Sequence, residues 1–414
     1  MTYIKPEPET NQSSTAVRET LELGLTAAQQ QNWSLVNYYL KLLPQSQSHK
    51  RGNTMLLTGD DWQQGLNLAT LVLIKADFQQ RWEVQKLLPS FGNQIVALML
   101  ELLQDETIES EARWFICQVL ANFPEPKVIV ALIKLLQQTP EPELKEAAAQ
   151  TLSAIGKTAV DALETLLDHP ETRPIAVQSL FYIRTPETIT PLLGVTQDRE
   201  PLLRASAIKA LGSFHDPRIP PVLLAALEDK ASKVRQEAVA ALGFRPDLCD
   251  TLNLVAHLRP LLQDFALEVC CQTAISLGRM QHPSAVTTMF EVLEVDTTPI
   301  DLKLELVKAL GWSKIPQGID YLGQALMTAT EIVAQEIIVT LGRVTPPNLK
   351  PQAAQVLVTW WNNHQPEFPQ QRQALATALG ELRADCAREI LLQLSTDSDR
   401  KVQLYAQSAL KKLV

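Results

Sequence analysis

The sequence predicts an all-α fold of the α-α superhelix class: a solenoid of about eleven helix pairs preceded by an N-terminal helical cap. Three observations predict it. A short motif returns at intervals of 28 to 38 residues. Within each copy the apolar residues fall at helical spacing. Gly or Pro then stands where one helix must stop and the next must start. The motif is plainest in LLRASAIKALGS (202–213) and KVRQEAVAALGF (233–244), which align on Arg204 and Arg235. A recurring period of this size marks a stacked array of supersecondary units.

The elements follow in chain order. Residues 1–15 (MTYIKPEPETNQSST) are polar and are expected to form a flexible tail. Residues 16–43 have helical periodicity, with Val17, Leu21, Leu25 and Ala28 on one face and then Leu35, Tyr38, Tyr39 and Leu42. QSQSHKRGNT (45–54) reads as a polar linker, and a further helix is expected near 60–75. These segments define a cap over 16–78, because an array needs a polar outer face at its end. The solenoid is expected over 79–414. Its anchors are Arg81, Arg113, Lys145, Arg173, Arg204, Arg235, Cys270, Lys303, Ala334, Arg372 and Gln403, each with Leu seven residues on. Eight of the eleven are Lys or Arg.

Each copy makes physical sense as two helices. Val234, Ala238, Ala241 and Leu242 recur at i, i+4, i+7 and i+8, one face of a helix. Gly243 follows as a helix stop suited to a left-handed residue. Asp216-Pro217 then offers an N-cap and a first helical residue. Pro124, Pro186, Pro283, Pro316 and Pro346 recur at comparable starts. Small residues three and six positions after the anchor allow close approach of adjacent helices. Neither helix can bury its stripe alone, so stacking makes one continuous core.

Composition narrows function by exclusion. The 414 residues are 46% hydrophobic and 20% charged, with a net charge of −9. That balance argues against sequence-independent nucleic-acid binding, which needs clustered Lys and Arg to displace counterions. Apolar windows such as IVALMLELLQ (95–104) are too short for a membrane span of about 20 residues. Five cysteines are too few for a disulfide framework. With no apolar stretch near the N-terminus, the expectation is a cytoplasmic protein with neither nucleic acid nor membrane as partner.

The pattern Val-Arg-x-x-Ala-x-x-Ala-Leu-Gly (Val234, Arg235, Ala238, Ala241, Leu242, Gly243), repeated at Arg204, Ala207, Ala210, Leu211 and Gly212, resembles the HEAT-repeat family. It is most similar to the short-period variety of phycobilisome lyases and related cyanobacterial proteins. The copies at 81, 113 and 145 depart from it, lacking Leu-Gly. The resemblance implies a scaffold or adaptor that holds protein partners on a concave surface. Its lyase branch implies attachment of bilins to phycobiliproteins, and another implied partner is an iron–sulfur assembly factor of the IscA type.

Candidate chemistry is sparse. Asp198 and Asp229 lie six residues before Arg204 and Arg235, which suggests an exposed ion-pair ladder from one unit to the next. Cys270-Cys271 interrupts the basic column, and core packing is the first expectation for it. A thiol role, such as transient metal, cluster or bilin contact, is the second. Trp360-Trp361 falls in the longest gap between anchors; that both fill a widened joint of the array is the first expectation, and that one stands at a partner surface is the second. Trp33, Trp62, Trp82 and Trp114 are expected to weld the cap to the array. His215 and His282 sit at turns and read as caps. There is no metal spacing, nucleophile elbow or phosphate loop. The reading is therefore a scaffold without catalytic residues or cofactor, with Trp360, Trp361, Cys270 and Cys271 as candidate partner contacts and the second helices lining the groove.

Overall fold

The computed structural model describes residues 10–43, 59–364, 366 and 368–413, with the backbone alone for 10–15. Among the described residues there are 24 α-helices and no strand. The chain is an α-α superhelix, as its periodicity predicts. It divides into two compact units, Met1–Pro191 and Leu192–Val414. All eleven anchors lie on helices, from Phe78–Val84 (Arg81) to Arg400–Lys412 (Gln403).

In the N-terminal unit the first helix is Thr10–Gln29, so helix begins inside the segment expected to be a tail. Residues 1–9 and the 45–54 linker lie outside the described residues. The expected apolar face is partly displaced. Leu21 and Ala27 are buried but Leu25 is exposed. In Trp33–Leu42 the inward face is Val36, Asn37 and Leu40, while Tyr38 and Leu42 face out. Asn37 is buried because it has a partner: its side-chain amide donates to Gln80 O at 2.9 Å and Gln80 Oε1 at 3.1 Å. Trp62 joins its helix, Gly59–Lys75, to the array side of the unit, donating from Nε1 to Phe91 O at 3.2 Å and meeting the Phe91 ring edge-on.

In the C-terminal unit seven anchor helices follow one another: Pro201–Leu211, Ser232–Gly243, Leu267–Met280, Ile300–Trp312, Glu331–Gly342, Pro369–Leu382 and Arg400–Lys412. Second helices alternate with them, including Pro283–Leu293 and Pro316–Leu326, which start on the proline. His282 caps the first of these, its Nδ1 accepting from Ser284 N at 3.2 Å. The Asp216-Pro217 helix starts later than expected, at Ile219, and Asp216 instead accepts from Arg218 N at 2.9 Å.

The glycine eight residues after each of the anchors from Arg204 to Arg372 has a different task from the one expected. Gly243 is not left-handed; the left-handed residues after anchor helices are Arg184, Gln281, Lys314 and Arg383. What the glycine supplies is space. A Cβ on Gly342 would stand 2.6 Å from Ala378 Cα and Cβ, and one on Gly380 2.6 Å from Ala409 Cβ. The same contact joins Gly212 to Ala241, Gly243 to Ser276, Gly278 to Ala309 and Gly311 to Thr340. Each pair sets the +8 residue of one anchor helix against the +6 residue of the next. All six junctions of the unit use it, so a glycine and a small residue fix how closely its anchor helices stack.

A candidate protein-binding surface

The anchor side chain carries two connections. Arg204 donates from Nη1 to the carbonyl of Asp198, six residues earlier, at 2.9 Å. Its Nε and Nη2 grip both carboxylate oxygens of Asp229, 25 residues later, at 2.8 and 2.7 Å. Arg235 repeats the arrangement with Asp229 O at 2.7 Å and Asp264, 29 residues later, at 2.7 Å through both nitrogens. Arg372 repeats it with Pro366 O at 3.0 Å and Asp397 at 2.7 and 3.1 Å. The Asp closes its own turn as well: Asp229 Oδ1 accepts from Ala231 N, and Asp264 Oδ1 from Ala266 N, each at 2.8 Å.

This corrects the expected ladder in two respects. The aspartate six residues before an anchor offers that anchor its carbonyl, and its carboxylate goes to the anchor of the preceding unit. The pairs are also largely buried. Side-chain exposures are 15% and 16% for Arg204 and Asp229, and 14% and 7% for Arg235 and Asp264. Bidentate geometry away from solvent makes them stronger than exposed pairs. The Arg204 and Arg235 guanidiniums, by hydrogen bonding, hold the Asp229 and Asp264 carboxyls below the usual range.

Cys270 keeps half of the anchor's role. Its thiol donates to Asp264 O at 3.2 Å, the carbonyl six residues back, but cannot reach forward. A cavity of about 310 Å³ opens beside it, bounded by Val292, Thr297 and Thr298. Cys271 is half-buried on the exposed side of the helix. Burial pushes its thiol up to about 11, with Glu305, Asp301 and Glu268 adding to the effect. A protonated thiol is a poor nucleophile and a poor metal ligand. Among the described residues no group of three or more His, Cys, Asp or Glu is arranged to hold a metal ion.

Trp360 and Trp361 are both buried, at 4% and 8% exposure. Neither stands at the surface. Trp361 turns toward Gln393, donating to its Oε1 at 3.2 Å, and Trp360 stacks on His364. The longer Lys350–His364 helix gives the two rings separate niches, which adjacency in sequence concealed.

Other side chains stand exposed along the anchor helices. On each anchor helix the residues at −2, +2, +5 and +9 share the face opposite the core, by their spacing of three or four. Across the C-terminal unit that face carries exposed Leu202, Phe244, Trp312 and Ile332 among charged neighbours. Arg279 lies 4.4 Å over the Phe244 ring. Lys233 pairs with Glu237 at 2.8 Å and Lys308 with Glu305 at 2.7 Å. The Lys308 ammonium is raised by its hydrogen bond to Glu305, with Glu336 adding to the effect. The sequence motif drew attention to the anchors and their buried neighbours; the +9 column, with Phe244, Arg279, Trp312 and Arg343, was legible there only once the outward face of the helix had been counted off.

A repeated helix pair, anchors that tie pairs to their neighbours and a periodic outward face define a repeat solenoid with an extended surface. Residues 95–180 and 168–243 match the family model for HEAT repeats. No match was found among curated proteins. Human deoxyhypusine hydroxylase in complex with glycerol is similar at 22% identity, covering 61% of this chain and 95% of that one with a TM-score of 0.28. An engineered protein is similar at 20% identity, covering 86% and 96% with a TM-score of 0.32. Importin beta is similar at 13% identity, covering 97% and 64% with a TM-score of 0.48. No helix of the described residues is long and apolar enough to cross a membrane.

Proposed function

We propose that the protein is a non-enzymatic scaffold that holds a protein partner against the outward face of its C-terminal anchor helices. The observation that carries the reading is the exposed apolar set Phe244 and Trp312 at +9 and Ile332 at −2, on one face of helices whose spacing is fixed by glycine contacts. Aromatic and aliphatic side chains among charges are the composition of interface anchors. A stack pinched along one layer curves toward that layer. The reading therefore places the partner on the anchor helices in place of the second helices expected from sequence; one junction of the second-helix layer is filled by Phe290 stacked on Tyr321 at 4.1 Å. A surface preset by packing limits the ordering cost of binding.

Affinity capture from the native cell with wild type and with Phe244→Ser/Trp312→Ser tests the reading. The expected result is a partner recovered with wild type and lost with the double variant at unchanged thermal stability. Equal recovery with both removes this face from the proposal. Two narrower versions follow the family resemblance. Handling of a bilin for a phycobiliprotein predicts an absorbance shift on mixing with phycocyanobilin, and no shift removes it. Partnership with an IscA-type factor through the thiols predicts loss of co-purification in Cys270→Ser/Cys271→Ser, and unchanged recovery removes the thiols.

A further inference from the structure

Arg113 has half of an anchor's connections. Its Nε donates to Leu103 O at 3.0 Å, and the residue is 7% exposed. No carboxylate of the described residues forms an ion pair with its guanidinium. In the C-terminal unit that carboxylate comes from the residue six before the next anchor. Before Lys145 that residue is Thr139.

Thr139 retains one task of the missing aspartate. Its Oγ1 accepts from Glu141 N at 3.3 Å, closing the turn as Asp229 does for Ala231. A single neutral hydroxyl cannot also engage a guanidinium in two parallel bonds. The space where a carboxylate would sit is a cavity of about 410 Å³ lined by Arg113, Leu103, Glu106, Lys134, Thr139 and Glu141. Asp105 lies near enough to feel the Arg113 charge, but its carboxylate accepts from Thr107 N and Oγ1 and forms no ion pair with the guanidinium, so a ligand that brings a forked carboxylate gains charge-assisted bonds on binding. Lys134 adds a second positive charge, and Glu106 and Glu141 balance the pair. A near-neutral lining that includes the Arg113 guanidinium suits one carboxylate and disfavours a polyanion. The volume falls in the range of small-molecule sites, roughly 300–1,000 Å³.

We propose that this cavity binds a small free carboxylate, seated on the Arg113 guanidinium in the place that an aspartate takes beside Arg204, Arg235 and Arg372. The site lies within the N-terminal unit and does not depend on the partner surface.

The test is thermal unfolding of the full chain in sodium acetate and in sodium succinate against sodium chloride at equal ionic strength, with acetate binding read independently by NMR line broadening. Wild type is expected to show a saturable upward shift and saturable broadening. Thr139→Asp fills the site from within, so both responses to acetate are expected to vanish. Arg113→Gln is expected to weaken binding by roughly tenfold or more, the factor for one charge-assisted contact. Thr139→Asp keeps the test decisive if Arg113→Gln does not fold. An acetate response that is absent in wild type, or retained in Thr139→Asp, overturns the proposal.

Discussion

The two units solve the same stacking problem with different degrees of regularity. In Leu192–Val414 every anchor junction sets a glycine against a small residue, and three anchors grip an aspartate of the following unit. In Met1–Pro191 the +8 residues are Pro89, Ala121, Ser153 and Phe181, and no glycine column forms. Links are still made there, by other means. Arg81, nearly buried, reaches Glu109 at 2.7 Å and also Glu111, beside the start of the next anchor helix. Thr151 Oγ1 bonds Cys117 O at 3.1 Å, as Ser276 Oγ bonds Val239 O at 2.9 Å in the other unit. A repeat therefore tolerates changes in the residue that makes a link better than loss of the link. Where it is lost, space opens. Cavities lie beside Cys270, which is too short, beside Lys303 opposite Thr328, and beside Arg113 opposite Thr139.

The comparison breaks most visibly at the glycines. Gly342→Val is expected to destabilise the C-terminal unit by about 3 kcal/mol, because two backbones in contact cannot move apart at one junction alone. Ser153→Val, at the matching position of the N-terminal unit, should change stability by well under half of that. Chemical denaturation of the two variants measures the contrast, and equal effects would remove the glycine column as a distinguishing device.

Breaking an arginine link is the next largest effect. Arg235→Ala leaves the Asp264 carboxylate largely buried and without its fork, at an expected cost of about 2 kcal/mol. Arg235→Lys should recover only part of it, since an ammonium cannot make two parallel bonds. Full recovery by Lys would show that charge alone matters.

The smallest effect is the pH dependence. Asp229 and Asp264 have lowered carboxyl values because arginine hydrogen bonds favour their charged forms. Stability from these pairs is thus fully present above the unfolded aspartate value of about 4 and declines as pH falls below it. Melting temperature measured against pH should show wild type and Asp264→Asn converging in acid and separated at neutral pH. A constant gap across the range would contradict the linkage.

Much of this architecture was legible in the residues themselves. The anchor spacing located eleven helices, and the Leu column located their buried faces, because periodicity is a local property of the chain. Partnership across units is not local. Asp229 lies six residues from Arg235 in sequence, yet its carboxylate belongs to Arg204, and nothing in the spacing distinguishes a carbonyl contact from a carboxylate contact. Gly243 read as a helix stop because glycine permits left-handed backbone; its observed use, proximity to Ser276, requires knowing which helix lies opposite. Trp360 and Trp361 read as one ring too many for a narrow core, and the polar partner of Trp361, Gln393, comes from a different helix. The surface residues were hardest to find, since an exposed +9 column has no packing to constrain its sequence.

The central claim is that regular glycine contacts and arginine links make the C-terminal unit harder to open than the N-terminal one. Buried cysteines report each unit separately. Cys117 lies in the first, with burial pushing its thiol up to about 12, and Cys249 and Cys270 lie in the second. Thiol labelling across a denaturant series, read by mass spectrometry, should modify Cys117 at lower denaturant than Cys249 and Cys270. Labelling of Cys249 and Cys270 first, or of all three together, would contradict it.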